Sequence, residues 1–313
     1  MKKITVAIIG LGRIGFDYGK NKNLSHFNSI LDYPNFKITS LVDKNLRIKK
    51  KLQNNFKEIF YEKIKLIPIE KNIDIAIIST SDDSHYKNTI DIIKYKPKLI
   101  IIEKPISKKY QEIKKICNLL EKNKINMIVN FSRRFNKDYI SIKKKIQTGF
   151  FGKIKYVRMH YSRGLIHNSV HLLELSIWLF GKPLNYSFNN KQRSRSLPQD
   201  WSADIILNYS SFSVYILSCD IHKLGNEEID IIGDKKRVLI DCEMNIRYYL
   251  IKSSMKFKNT KFFYNFKSSK INYDKNLKNL YTESMRQIKK KKFNFNETLK
   301  NSLYIHKLIE KNF

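Results

Sequence analysis

The stretch Ile4-Thr5-Val6-Ala7-Ile8-Ile9-Gly10-Leu11-Gly12-Arg13-Ile14-Gly15 runs a short, nearly continuous apolar segment into three glycines. Apolarity that is continuous rather than alternating means burial on both faces, as in a central strand of a parallel sheet. Glycines at this spacing permit a tight turn, close approach of backbone to a pyrophosphate, and close packing of a helix on its strand.

Outward from that stretch the pattern repeats. Apolar runs follow at Phe36 to Val42, Ile73 to Ile78, Leu99 to Ile102 and Met127 to Val129, and helical patterns such as His85 to Lys94 and Ser107 to Lys122 separate several of them. Strand and helix in alternation imply βαβ units and a parallel sheet. The second run stops at Asp43, where a carboxylate can accept from an adenosine ribose hydroxyl and repel a 2′-phosphate. That favours NAD, while neighbouring Lys44 and Arg47 keep NADP open. Gly15 to Asp43 spans 28 positions where ~20 is usual. The excess is assigned to a surface loop at "DYGKNKN", residues 17–23, whose polar residues suit no packed turn.

At 313 residues the chain exceeds the usual size of one hydrophobic core, so two domains are expected, 1–130 and 131–313. The formal charge of +33, from 61 basic and 28 acidic residues, suggests an anionic partner only if the lysines gather on one face. They are spread through every segment, and no nucleic-acid partner is expected. Cys117, Cys219 and Cys242 form no C-x-x-C pair, which fits a reducing cytoplasm. Arg13 and Asp17 interrupt the N-terminal apolar run, so it is not read as a signal peptide. No stretch approaches the ~18 apolar residues of a membrane helix, and no membrane partner is expected.

After Leu99 to Ile102 come Glu103, Lys104 and Pro105. In order, "GLGRIG", "IISTSDDSHY", "EKP", "NFSRRFNKDY" and "GFFGKI" resemble the glucose-fructose oxidoreductase and inositol dehydrogenase family, Gfo/Idh/MocA, over nearly the whole chain. The resemblance implies an N-terminal Rossmann domain, a doubly wound parallel sheet, followed by an α/β domain with a large, mostly antiparallel sheet. The segments "KIKYVRMHYS", "ADIILNYS", "FSVYILSC", "EIDIIG" and "RVLIDC" read as its strands. A last helix, Glu297 to Lys311, starts beside the potential cap Asn296. A homodimer or homotetramer through the second sheet is also implied.

The family pairs the EKP lysine with the histidine of a D-x-x-x-H pattern about the substrate alcohol. Lys104 and His171 match those positions, and His167 stands where the aspartate would. "RGLIHNSVH" resembles an RG…HN…H variant seen in some members. The cofactor-binding set is Gly10, Gly12, Arg13, Ile14, Gly15, Asp43, Lys44, Ser79, Thr80, Ser81, His85, Glu103 and Lys104. His85 serves equally well as a cap for the helix that follows it. Arg133 and Arg134 either meet an anionic substrate group or pair with surface carboxylates. Tyr161, Arg163, His167, Asn168 and His171, with Lys104, form the substrate set.

His167 and His171, four apart, would stack on one face of a helix. A zinc site is not expected, because Asn168 replaces the glutamate of H-E-x-x-H and no third ligand is signalled. Leu172, Leu175, Trp178 and Leu179 form a packed helical face, and Gly181 and Pro183 stop it, so the histidines sit in the first turns. Alcohol oxidation needs a base titrating near neutrality, which histidine provides unaltered. His171 is assigned as acid/base and Lys104 as electrostatic partner; His167 relays the proton or binds a neighbouring hydroxyl. The reading is an NAD-dependent oxidoreductase acting on a secondary hydroxyl or ketone of a sugar, cyclitol or sugar nucleotide, with surface-polysaccharide pathways as one setting. A non-catalytic dinucleotide-binding sensor or partner subunit is the alternative.

Overall fold

The computed structural model describes residues 3–19, 24–221, 227–290 and 293–313. The chain divides into two units, Met1–Asn136 with Tyr273–Phe313, and Lys137–Asn272.

The first unit opens with β1 (Ile4–Ile9), α1 (His26–Leu31), β2 (Phe36–Val42), α2 (Leu46–Lys51), α3 (Asn54–Lys57) and β3 (Phe60–Tyr61). It continues through β4 (Ile75–Ile78), α4 (His85–Ile93), β5 (Leu99–Ile102), α5 (Tyr110–Asn123) and β6 (Asn126–Val129). Among the described residues the strands form one sheet in the order β3-β2-β1-β4-β5-β6, and each recorded pairing is parallel. The order reverses direction between β1 and β4, the switch point at which open α/β sheets leave a crevice at the carboxyl ends of their strands.

Alternate residues of each strand feed two separate cores. Ala7, Ile9, Ala76, Ile78, Ile100 and Ile102 face one side, with Ile92, Ile113 and Leu120 of α4 and α5. Val6, Ile8, Ile75, Ile77, Leu99 and Ile101 face the other, with Phe27 and Ile30 of α1. The apolar run of the fourth strand was read from Ile73, yet pairing begins at Ile75. Buried Asp74 interrupts it, its carboxylate accepting from Thr5 N and Oγ1 at 2.9 Å each.

The second unit contains α6 (Lys137–Gln147), β7 (Ile154–Tyr161), a π-helical turn at Leu165–Ser169, α7 (Val170–Phe180), and β8 (Asn185–Arg193). β9 (Trp201–Asn208), β10 (Ser213–Ser218), β11 (Glu228–Gly233), β12 (Lys236–Ile240), β13 (Asn245–Ser253) and β14 (Lys261–Lys270) follow. Their order is β14-β13-β12-β11-β7-β10-β9-β8. β7 and β10 run parallel and the other pairs antiparallel. β8, β13 and β14 escape a reading by alternation because their apolar residues do not alternate with polar ones over the strand. β8 and β14 are the sheet's two edges, where charged and polar residues are usual. α7 is buried nearly all round, including Leu173, Glu174, Ser176 and Ile177, so the single packed face read from four residues understates it.

The chain then returns to the first unit. In α8 (Asn276–Lys289), Leu277, Leu280 and Tyr281 join the α1 side of the parallel sheet. In α9 (Glu297–Glu310), Leu299 joins the opposite side. A single cut at 130/131 assigns these helices to the second domain, whereas residues 273–313 group with the first. The physical reason is that βαβ crossovers alone leave part of each sheet face bare, and the terminal helices cover it. Each large apolar side chain so buried contributes about 1.5–3 kcal/mol. Asn296 caps α9 by accepting from Thr298 N at 2.8 Å. α8 stops at Lys289, and Lys291 and Lys292 lie outside the described residues.

Candidate functional site

At the carboxyl edge of the parallel sheet, Gly10 N donates to Val42 O at 2.8 Å with φ +90°. A Cβ on Gly10 would stand 2.6 Å from Thr80 N, and one on Gly15 would stand 1.9 Å from Gly10 O. Both positions therefore exclude any side chain. Gly12 differs, because a Cβ there meets nothing within 4 Å; the loop is open at that point, which leaves room for a pyrophosphate to approach the backbone. Arg13 stacks over the Tyr18 ring at 4.3 Å, and Ile14 is exposed.

The long spacing to Asp43 has a structural cause. Phe16 N donates to Gly12 O at 2.9 Å, starting a helical turn, and His26 and Phe27 donate to Ile14 O and Gly15 O at 2.8 and 3.0 Å. Those last bonds join residues twelve apart where a continuous helix joins residues four apart. An eight-residue insertion thus interrupts the helix that follows β1, which accounts for the excess over ~20. Of the segment read as a surface loop, residues 20–23 lie outside the described residues.

Asp43 locks the glycine turn to the second strand. Its Oδ2 accepts from Leu11 N at 2.7 Å and its Oδ1 from Asn45 N at 2.8 Å, so the carboxylate is fixed in direction. Lys44 is exposed. Ser79 Oγ donates to Gly10 O at 2.8 Å. Thr80 Oγ1 accepts from Asn88 Nδ2 at 3.1 Å, and exposed Ser81 lies 3.2 Å from Ser84 through their hydroxyls. His85 does not cap α4. Its buried ring spans Pro105 O at 2.6 Å and Thr80 O at 3.0 Å, clamping the loop after β4 to the segment after β5.

Glu103 N donates to Ile78 O at 2.9 Å, which places the Glu103-Lys104-Pro105 segment directly beyond β5, and the Lys104–Pro105 peptide is cis. Lys104 is half-buried. Glu103 Oε1 accepts from Asn130 Nδ2 at 2.6 Å and lies 3.1 Å from His26 Nε2. Burial, the largest influence, pushes this carboxyl up, but the bond and charge of His26 and the Asn130 amide together hold it below the usual carboxylate range. His26, Asn130 and Tyr281 were not anticipated. Only Asn130 carries a signal, as a polar residue ending an apolar strand; Tyr281 lies far along the chain from any motif. Arg134 Nη1 meets Glu297 Oε2 at 2.7 Å, the carboxylate-pairing option, while Arg133 is buried.

In the second unit the histidine turn is built on backbone that few residues adopt. Arg163 has φ +67° and Gly164 φ +90°, and left-handed backbone at a non-glycine residue is uncommon. The π-helical turn Leu165–Ser169 carries His167, and His171 is the second residue of α7; both are half-buried. Asp200, also unanticipated, anchors the turn. Its Oδ2 accepts from His167 N at 2.9 Å and its Oδ1 from Ile166 N at 3.2 Å and Trp201 N at 2.8 Å. A Cβ on Gly164 would fall 2.4 Å from that carboxylate. Buried Glu174 stands one helical turn beyond His171, a lone acid in an apolar helix and so a signal the sequence does carry.

Tyr161, Ser162, Arg163, Asn168, Glu227, Cys242 and Met244 line a cavity of about 210 Å³. It gathers three of the predicted substrate residues and is not lined by His167 or His171. Two of the three are partly committed. Asn168 Nδ2 donates to Ser162 O at 2.8 Å. The Tyr161 hydroxyl donates to Ala203 O at 2.8 Å and accepts from Ala203 N at 2.9 Å, and burial pushes its phenol far up. Among the described residues no three His, Cys, Asp or Glu side chains gather as a metal site, and no helix is long and apolar enough to cross a membrane.

Residues 4–131 match the GFO_IDH_MocA family model, described as an oxidoreductase family with an NAD-binding Rossmann fold. An uncharacterized oxidoreductase of Schizosaccharomyces pombe is 23% identical over 275 residues, 80% of this chain and 68% of its own. Myo-inositol 2-dehydrogenase of Thermotoga maritima is 26% identical over 261 residues, 75% of each chain. Among solved structures, an oxidoreductase from Agrobacterium radiobacter in complex with NAD+, L-tartaric acid and magnesium has a TM-score of 0.74. It covers 99% of this chain and 95% of its own at 15% identity, a likeness of fold.

Proposed function

The chain belongs to the Gfo/Idh/MocA oxidoreductase family through its NAD-binding Rossmann unit, and from that premise we propose that it moves a hydride between nicotinamide and a secondary hydroxyl or ketone of a sugar, cyclitol or sugar nucleotide. The observation that carries the reading is the carboxyl edge itself. There an open glycine turn, an oriented Asp43 and the half-buried Lys104 stand on strands whose ends are in register.

The bound nicotinamide supplies the hydride acceptor. Gly10, Gly12 and Gly15 bring backbone to the pyrophosphate, with Arg13, Ile14 and Lys44 along its flank; Asp43 takes the adenosine ribose hydroxyls, and Ser79, Thr80, Ser81, His85 and Glu103 shape the nicotinamide side. Lys104, as a cation, stabilises negative charge developing on the alcohol oxygen, and His171 takes the hydroxyl proton. In reduction the same imidazole returns that proton to the carbonyl oxygen. His167, Asn168 and Arg163 meet neighbouring substrate groups. The Thermotoga relative's name puts cyclitols first in a substrate panel.

Lys104→Met tests the assignment. Turnover is expected to fall by about 10³-fold, the charge-stabilisation scale, with NAD affinity within about threefold of wild type. Unchanged turnover contradicts it, and NAD binding without turnover on any sugar or cyclitol leaves a dinucleotide-binding protein that is not an enzyme.

A further inference from the structure

A buried chain of polar groups reaches the carboxyl edge from behind, and of its members hydride transfer as described uses Glu103 alone. Tyr281 of α8 lies with its hydroxyl 2.6 Å from His26 Nδ1, and His26 Nε2 lies 3.1 Å from Glu103 Oε1, which also accepts from Asn130. His26 is fully buried and Tyr281 is 1% exposed. Burial above all, then the nearby charge of Glu103 and the Tyr33 phenol, holds the Tyr281 phenol protonated. Its hydroxyl and His26 Nδ1 share one hydrogen bond, and Nε2–H is the donor to the carboxylate, which has only lone pairs to offer; this second direction is assigned from the hydrogen-bond network. The groups facing Glu103 are His26 from α1, Asn130 from the end of β6 and His85 from α4, with Tyr281 from α8 behind His26.

In a doubly wound sheet each half takes one mononucleotide across the switch point. Asp43 marks the β1–β3 half for adenosine, so the nicotinamide end falls to the β4–β6 half, whose carboxyl ends carry Ser79, Glu103 and Asn130. An oxidised nicotinamide ring carries a positive charge that the reduced ring lacks. A carboxylate held anionic beside it, in surroundings of low dielectric, discriminates between the two.

We propose that Glu103 is a fixed anion by which this protein prefers oxidised over reduced nicotinamide dinucleotide, with His26 and Tyr281 as positioning residues that hold the charge in place. The proposal rests on cofactor binding and not on the sugar reaction. A protein that binds both dinucleotides but turns over no sugar breaks the catalytic reading and leaves this one standing.

The test is the ratio of the NADH to NAD+ dissociation constants, by NADH fluorescence and competition, from about pH 5.5 to about 8.5, a span that covers buried carboxyls. For wild type the ratio is expected to favour NAD+ and to stay flat. Glu103→Gln is expected to move it about tenfold toward NADH at every pH. His26→Phe removes the main support of the anion, so burial raises the Glu103 carboxyl. Its ratio should match wild type at high pH and slide to the Glu103→Gln value as pH falls. Tyr281→Phe, which loses only one hydroxyl and should fold, is expected to slide likewise with a lower midpoint; His26→Gln, able to donate to Oε1, is expected to restore the flat profile. An unchanged ratio in Glu103→Gln overturns the discrimination. Flat profiles in both Tyr281→Phe and His26→Phe beside a shifted Glu103→Gln overturn the positioning roles, and a wild type that binds neither dinucleotide overturns both.

Discussion

Two tight turns, Gly10–Gly15 and Arg163–Ser169, hold the candidate machinery of the two units, and they are fixed by different means. The first is fixed by exclusion, since the backbone of Ser79 and Thr80 beyond β4 leaves no space for a Cβ at Gly10, and the carbonyl of Gly10 itself leaves none at Gly15. The second is fixed by attraction, since one carboxylate, Asp200, accepts from three backbone N–H groups and pulls a left-handed segment into place. A steric requirement writes itself into the sequence at the spot where it acts. A distant anchor writes nothing near the turn it holds.

The largest effect that separates the two turns is chemical. His171→Ala is expected to lower turnover by about 10²–10⁴-fold, the usual scale for a lost general base, with NAD affinity unchanged in a fluorescence titration; a variant as active as wild type removes the second turn from the chemistry. The glycines come next. Gly15→Ala forces a Cβ into Gly10 O and is expected to cost about 1–3 kcal/mol or more in urea unfolding. Gly12→Ala, pointing into open space, should leave stability within about 0.5 kcal/mol and weaken NAD binding. Equal stability losses in both would show that exclusion is not what fixes the first turn.

Asp200→Asn probes the attraction. Replacing one acceptor oxygen by an amide is expected to cost about 1–3 kcal/mol of stability and to lower turnover roughly tenfold through a loosened turn, with NAD affinity unaltered. Loss of NAD binding instead would mean that the turn is not a device of the second unit alone.

An effect confined to acid pH, and absent at neutrality, concerns the first unit's terminal helix. Burial, against the hydrogen bond between His306 Nδ1 and Ser302 O at 2.8 Å, holds the His306 imidazole down to about 4, below the ordinary value near 6.5. Its contribution to stability is fully present above about pH 6.5 and is lost as pH falls from there toward 4, by up to about 3 kcal/mol. His306→Gln is expected to flatten that part of the pH–stability curve. An unchanged slope would place the acid sensitivity elsewhere.

Five of the six parallel strands could be read nearly to their ends because short, mostly apolar runs closed by a glycine or a polar residue have few other interpretations, whereas the two-residue β3 is too short to show such a run. The glycine turn was legible for the steric reason already given. The edge strands β8 and β14 were not, because edges carry the polar residues that also mark loops. The return of α8 and α9 to the first unit could not be seen either, since an amphipathic helix states that it has a buried face but not which sheet covers it. In the candidate sites the same division holds. Asp43 and Lys104 follow strands and are candidates by position, whereas Asp200, His26 and Tyr281 make their hydrogen bonds across long sequence separations.

Hydride transfer is tested most directly by isotope. With a cyclitol or sugar deuterated at its carbinol carbons and NAD+ as acceptor, deuterium is expected at nicotinamide C4 of the reduced product formed by wild type, with little product from Lys104→Met. Tight NAD+ binding with no deuterium at C4 for any member of the panel would contradict the account.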